Sequence, residues 1–189
     1  MSTHYIDTKH GFTLIETVIV VALSVVMMIV VSILVYNFTA ISAYQQALTQ
    51  SSGSATMLIR ELESLAIPAD AVLQTHDFSS ATYSSSPTVL VLEIPSIDDS
   101  GNVISGKHDY AAFYTTGTDS YRILEADQSS ARASGTKKLS STMHELTFSY
   151  DSVDFTFVST VTAYVHVQAT TKQGILSDHR NVQIRLRNH

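Results

Sequence analysis

The sequence predicts an α+β protein in which a long N-terminal α-helical spine packs on an antiparallel β-sheet head domain. Three patterns support this prediction. An apolar run covers residues 12–35, an apolar stripe at helical spacing continues to Pro68, and apolar and polar residues alternate in the second half of the chain. A chain of 189 residues is expected to form one globular domain plus an anchor.

The apolar run is long enough to cross a membrane, since about 20 helical residues suffice. It exceeds the ~7–15 apolar residues of a secretory signal peptide, and no A-x-A cleavage site follows it. We therefore expect residues 12–36, which follow a short polar leader at residues 1–11, to be the membrane half of the helix. Lys9 in the leader, and the lack of charge over residues 17–59, favour a cytoplasmic N-terminus and an exported body.

The helical pattern continues through residues 37–67, where apolar residues concentrate on one side. Pro68 lacks a backbone N–H and restricts the residue before it, so the helix is expected to end there. This amphipathic half is predicted to lie on the head domain. Its stripe consists of two series with a seven-residue repeat: Ile41, Leu48, Ala55 and Leu62, and Tyr44, Ser51, Leu58 and Leu65.

Residues 68–87 include a serine-rich stretch and are predicted to form a linker to the head domain at residues 88–189. Apolar residues flanked by prolines predict a buried strand at 89–94. A hairpin is predicted from strands at 110–114 and 121–124. A loop is expected to follow the hairpin, at 127–138, and period-two alternation predicts further antiparallel strands at 146–150, 153–157, 161–169 and 182–186.

Composition narrows the classes of function. The chain has no cysteine, which excludes disulfides and thiol chemistry, and its net charge of −6 argues against a nucleic acid partner. Neither a G-x-S-x-G nucleophile motif nor a Gly-rich phosphate loop occurs in the sequence. We therefore expect a protein that is not an enzyme and that needs no cofactor.

The eight histidines have no spacing typical of a transition-metal site. The His144-Glu145 pair lacks the second histidine of an H-E-x-x-H motif, and a strand rather than a helix is predicted around it. The other histidines beyond the leader lie at irregular intervals, at His76, His108, His166, His179 and His189.

A weaker candidate is a calcium site at Asp98, Asp99 and Asn102. The segment is acidic, but it lacks the complete pattern of an EF-hand loop. A plain turn between two strands is therefore the favoured interpretation.

Basic residues near the C-terminus form a second weak candidate, a contact with DNA. The favoured interpretation is a solvated strand face that discourages pairing between sheet edges. The residues concerned are Lys172, Arg180, Arg185 and Arg187.

The string KHGFTLIE at residues 9–16 joins the polar leader to the apolar run. It resembles the cleavage and methylation signature of type IV prepilins and type II secretion pseudopilins. The resemblance implies that a prepilin peptidase cleaves after Gly11, that Phe12 is N-methylated, and that Glu16 pairs with the Phe12 amine of a neighbouring subunit. It covers residues 9–36 and implies a similar helix-and-sheet fold. The chain departs from many Gram-negative pilins, which close a C-terminal loop with a disulfide.

Glu16 is the single charged residue between Phe12 and Arg60. A carboxylate in hydrocarbon costs about 2.5–3.5 kcal/mol on insertion scales. A terminal ammonium at ~4 Å would attract it by roughly 4 kcal/mol at an effective dielectric constant of ~20. Such a pair sets the register between apolar helices more than it adds net stability. The simpler alternative places Glu16 near the lipid headgroups of an ordinary signal anchor.

The resemblance implies a structural filament subunit. Major pilins often carry a proline within the membrane helix, and its absence here favours a minor, priming or tip subunit. The resemblance implies as partners other pilin subunits, a prepilin peptidase, an assembly platform with its ATPase, and membrane lipid before assembly. The precursor is expected in the cytoplasmic membrane as a single-pass protein, and the mature chain in a periplasmic or cell-surface filament.

The alternative function is a monomeric, single-pass surface protein whose exported β domain binds a ligand. The sequence also leaves open whether a filament of this chain would be a pilus, a secretion pseudopilus or a DNA-uptake filament.

Overall fold

The computed structural model describes residues 13–171 and 174–187. The chain divides into two units, residues 1–43 and residues 44–189. Helix α1, Leu14–Ala66, has residues in both units.

In the first unit, α1 presents exposed apolar side chains on every side. Two serine hydroxyls bond within the helix: Ser24 Oγ donates to the Val20 carbonyl at 2.8 Å, and Ser32 Oγ donates to the Met28 carbonyl at 2.7 Å. The helix is long and apolar enough to cross a membrane, as the sequence predicts.

In the second unit, α1 is amphipathic and ends at Ala66, close to the predicted stop at Pro68. The apolar stripe is buried from Ser51 onward, whereas Ile41 and Leu48 stay half exposed. The predicted stripe therefore begins too early. The buried residues of the helix are Ser51, Ala55, Leu58, Leu62, Leu65 and Ala66.

The rest of the second unit is built from antiparallel strands. Their bounds are β1 Ala71–Val72, β2 Thr75–Asp77, β3 Thr82–Ser84, β4 Leu90–Ile97, β5 Val103–Thr116, β6 Asp119–Glu125, β7 Gly135–Ser140, β8 Met143–Tyr150, β9 Thr160–Thr171 and β10 Gly174–Arg185. They form a five-stranded sheet in the order β1-β4-β5-β6-β7, a three-stranded sheet in the order β10-β9-β8, and the β2–β3 hairpin.

The main core lies between the second half of α1 and these sheets. Val161, Ala163, Val165 and Val167 of β9 are fully buried, and their alternation with polar residues is as predicted. They share a core with Leu58 and Leu62 of α1 and with Leu90, Leu92 and Phe113 of the five-stranded sheet. One long helix packed on antiparallel sheets confirms the predicted α+β class.

The predicted linker at 68–87 is wrong in part, because this segment contains β1, β2 and β3. Val72 pairs with Leu92 of β4 and is buried. Phe78 lies at the end of β2 and forms a second core with Val91, Ala112 and Ile123. The segment is therefore held in the fold, because its few apolar side chains cover a face of the five-stranded sheet.

Two other element predictions are also wrong. The predicted loop at 127–138 extends too far, because β7 begins at Gly135 and pairs with β6. The predicted strand at 153–157 is a 3₁₀ turn at Phe155–Phe157, which Asp154 caps by accepting a hydrogen bond from the Thr156 N–H at 3.0 Å. Val153 is fully exposed, so the apparent alternation does not mark a buried face.

Candidate functional site

The candidate site is the N-terminus of α1, where Thr13 precedes the first helical residue and Glu16 lies in the first turn. The Thr13 backbone N–H and the Thr13 hydroxyl both donate to Glu16 Oε2, at 2.9 and 3.0 Å. In return, the Glu16 backbone N–H lies 3.4 Å from Thr13 Oγ1. This reciprocal arrangement is a capping box, which satisfies N–H groups that have no partner within the helix.

The capping box explains how an acidic residue is accommodated at the start of an apolar helix. The N-terminal end of a helix carries a partial positive charge, which favours a nearby carboxylate. Both hydrogen bonds from Thr13 to the Glu16 carboxylate are accepted by Oε2, and no donor among the described residues reaches Oε1. The Glu16 side chain is exposed within the single chain, as are Ile15 and Ile19 beside it. The carboxylate is therefore satisfied on one side and accessible on the other.

The predicted cleavage and methylation residues, Gly11 and Phe12, lie outside the described residues. The structure therefore describes one member of the predicted charge pair, Glu16. Thr13 was missed by the analysis of the sequence, although the T-x-x-E spacing of a capping box was present at residues 13–16.

The calcium candidate forms the turn between β4 and β5. Asp98 Oδ1 accepts hydrogen bonds from the backbone N–H groups of Ser100 and Asn102, at 2.9 and 2.8 Å. Asp98 Oδ2 accepts a hydrogen bond from Asn102 Nδ2 at 3.3 Å. The backbone bond from Asn102 leads the contacts that lower the pKa of Asp98 below its usual value of 3.8. Gly101 supplies the left-handed conformation of the turn, with φ at 81°. These bonds use the Asp98 carboxylate to shape the turn, and Asp99 projects into solvent.

Within residues 13–171 and 174–187, no group of three His, Cys, Asp or Glu side chains is arranged to hold a metal ion. The structure does bring together histidines that are far apart in the sequence: the rings of His166 and His179 stack, with centroids 3.8 Å apart. His189 lies outside the described residues.

The basic residues near the C-terminus do not form one solvated face. Arg180 lies against α1, where its guanidinium donates to Ser52 Oγ and Thr56 Oγ1, each at 2.8 Å. Arg185 and Arg187 are exposed, and Lys172 lies outside the described residues. The prediction of a shared solvated strand face is therefore wrong for Arg180, because its strand turns this side chain toward the helix.

No curated protein and no solved structure matches the chain. Residues 7–34 match the family described as the prokaryotic N-terminal methylation motif. The matched segment contains Gly11, Phe12, Thr13 and Glu16 and extends into the exposed apolar part of α1. The chain therefore carries, at its N-terminus, the signature of type IV prepilins and pseudopilins.

Proposed function

We propose that this chain is a non-enzymatic structural subunit of a type IV pilus-like or type II secretion pseudopilus filament. The observation that carries the proposal is the methylation motif at residues 7–34, which runs directly into a continuous apolar helix. The absence of proline from the membrane half of α1 favours a minor, priming or tip position over that of the main fibre subunit.

In this proposal, a prepilin peptidase removes residues 1–11 and methylates the new terminal amine of Phe12. Methylation preserves the positive charge of that amine. The mature helix then leaves the cytoplasmic membrane and packs among the helices of other subunits, moved by an assembly platform and its ATPase. The precursor spans the membrane once with its N-terminus inside, and the filament lies in the periplasm or on the cell surface.

Glu16 has two successive partners in this process. Before assembly, the capping box with Thr13 satisfies Oε2 within the same chain. During assembly, the Phe12 amine of a neighbouring subunit approaches the accessible side of the carboxylate. The ion pair between these two groups favours one axial offset between helices.

Mass spectrometry of the N-terminus tests the processing step. The chain is isolated from a native host, and its first residue is expected to be N-methylated Phe12. An intact leader, or any other first residue, would contradict the proposal.

Substitutions at Glu16 test the assembly step. Glu16→Leu is expected to insert into the membrane but to be poorly incorporated into filaments, whether these are sheared from the cell surface or isolated from the periplasm. The reason is that the carboxylate that selects the axial offset between helices is lost. Glu16→Gln keeps an acceptor suitable for a capping box but removes the charge, so it should fail in the same way. Ser32→Leu is the matched control, a polar-to-leucine change within the same apolar segment, and should assemble normally.

These variants also separate the filament subunit from the monomeric surface protein. A monomeric anchor would retain or gain membrane stability with Glu16→Leu, and its export would not depend on the charge. Normal incorporation of Glu16→Gln would show that capping, rather than pairing between subunits, is the role of Glu16.

A further inference from the structure

A cluster of histidines crosses the three-stranded sheet on the face away from the core. His166 of β9 stacks on His179 of β10 with centroids 3.8 Å apart, and its ring meets that of His144 on β8 edge to face at 4.6 Å. We call His144, His166 and His179 the histidine ribbon. Tyr164 extends it, because the Tyr164 hydroxyl lies 2.7 Å from His179 Nδ1.

Strand register creates the ribbon. His166 is the direct partner of His179 in the β9–β10 ladder, and cross-strand partners place their side chains on the same face. On the other side of β9, the register shifts between Met143 and Glu145, which brings His144 beside His166. Val165 and Val167, the chain neighbours of His166, are fully buried on the opposite face.

Strand β10 is an edge strand with a different attachment on each face. On its outer face His179 stacks on His166. On its inner face Arg180 is hydrogen-bonded to Ser52 and Thr56 of α1 and forms an ion pair with Asp178 at 3.0 Å. Over Gly174–Arg185, the strand that pairs with β10 is β9. The position of β10 therefore depends on β9, on these side-chain contacts and on Ile184, which is buried in the main core.

The environment of His166 disfavours its charged form. Its Nε2 atom is buried and has no hydrogen-bond partner among residues 13–171 and 174–187. Burial, followed by the proximity of His179 and His144, lowers the pKa of His166 below its usual value of 6.5, and Glu145 opposes the shift. The charged and titratable groups around the ribbon are Glu145 on β8, Tyr164 on β9, and Asp178 and Arg180 on the inner face of β10. The part of α1 that faces this end of the sheet, at Ala47 and Gln50, carries no charge.

We propose that the stacked rings of the histidine ribbon form a pH-sensitive contact. This contact stabilises edge strand β10 on the sheet at neutral pH and is weakened by acidification. In the folded chain the ring of His166 stacks on that of His179. Acidification charges His166, and burial together with the adjacent rings of His179 and His144 disfavours that charge. The pKa of His166 is lower in the folded chain than in the unfolded chain, so the unfolded chain binds more protons as the pH falls below about 6.5. The free energy of unfolding therefore declines below this pH and keeps its full value above it.

The test uses the full chain in detergent micelles and follows thermal unfolding by near-UV circular dichroism between about pH 7.5 and about pH 5.5. The wild-type Tm is expected to be lower at the acidic end of this range, because the pKa of His166 is lowered in the folded chain. His166→Gln and His179→Gln should remove most of that fall. His76→Gln is the matched control, because His76 stacks on Tyr110 outside the ribbon at 3.8 Å, and it should keep the fall.

Hydrogen exchange locates the effect. Protection factors corrected for intrinsic exchange should drop in peptides covering β10 at the lower pH, with much smaller changes in β4 and β5. A uniform drop across the head domain would overturn the assignment to β10.

A direct titration covers the case in which the variants do not fold. The imidazole Cε1–H signals of the wild-type chain should show His166 titrating below 6.5. A midpoint at or above that value, or an unchanged fall in Tm for folded His166→Gln, would overturn the proposal.

Discussion

Asp109 shows how a buried charge is accommodated at the scale of a single residue. It lies on β5 with no exposed surface and accepts hydrogen bonds from Ser96 Oγ at 2.7 Å, Arg132 Nη1 at 2.7 Å, Ser130 Oγ at 2.8 Å and the Asp127 N–H at 2.9 Å. Burial by itself raises the pKa of Asp109, but these bonds outweigh it and hold the pKa below the usual 3.8. The carboxylate thus binds the segment between β6 and β7 to the five-stranded sheet through these hydrogen bonds.

Replacing this carboxylate by an amide should weaken the fold. Asp109→Asn leaves the partly buried Arg132 guanidinium without its anionic partner, and breaking a buried pair in this way costs about 3–5 kcal/mol. Denaturant unfolding of the full chain in micelles measures the loss. Asp99→Asn changes an exposed aspartate nearby and should stay within about 0.5 kcal/mol of the wild type. Equal effects of the two substitutions would contradict the assigned role of Asp109.

Helix α1 shows at the element scale how one continuous helix serves two environments. Its first part is exposed and apolar all round, whereas from Ser51 one side is buried against the sheets. Leu58 has 1% of its surface exposed, whereas the adjacent Met57 has 40%. Neighbouring positions on the helix therefore contribute very differently to the stability of the head domain.

Truncation of these two side chains measures that difference. Leu58→Ala removes a side chain that packs in the core and should cost about 2–5 kcal/mol, through lost transfer free energy and the cavity that remains. Met57→Ala makes the same truncation on the exposed side and should cost much less. Unfolding curves monitored by circular dichroism give both values. A loss from Met57→Ala as large as that from Leu58→Ala would show that the helix packs on the head through another face.

Acidic side chains shape the pH response of the whole molecule. Many of the aspartates at its turns and strand ends accept local hydrogen bonds that lower their pKa values below 3.8; they include Asp98, Asp119, Asp127, Asp151 and Asp154. At Asp127 the hydroxyl and backbone N–H of Ser129, followed by Lys107, lower the pKa to about 2. This value lies well below the usual histidine pKa of 6.5.

The chain should accordingly lose stability in acid in a second, separate step. A carboxylate with a lowered folded pKa contributes stability above its unfolded pKa and loses it as the pH falls through the folded value. Tm should therefore decline between about pH 4 and about pH 2, and Asp127→Asn should make that decline shallower. Thermal unfolding across this range checks the expectation. A constant Tm down to about pH 2 would contradict it.

Strand prediction succeeded where one face of the sheet is buried by many consecutive residues. Alternation in β9 predicted its buried face because Val161, Ala163, Val165 and Val167 are all covered by the core. The same pattern was misleading at 153–157, where a capping aspartate and a fully exposed valine produce a 3₁₀ turn. Short strands such as β2 and β3 carry too few residues to show a period.

Features that depend on neighbouring residues could be predicted from the amino-acid order: the methylation motif, the apolar helix with its charge at Glu16, the helix end before Pro68 and the longer alternating strands. Each follows from local spacing, backbone restriction or the cost of exposing apolar surface. Tertiary structure alone decided which distant side chains meet. His166 reaches His144 and His179, and Asp109 reaches Arg132, through strand pairing and packing, which bring together residues whose separation along the chain carries no signal of contact.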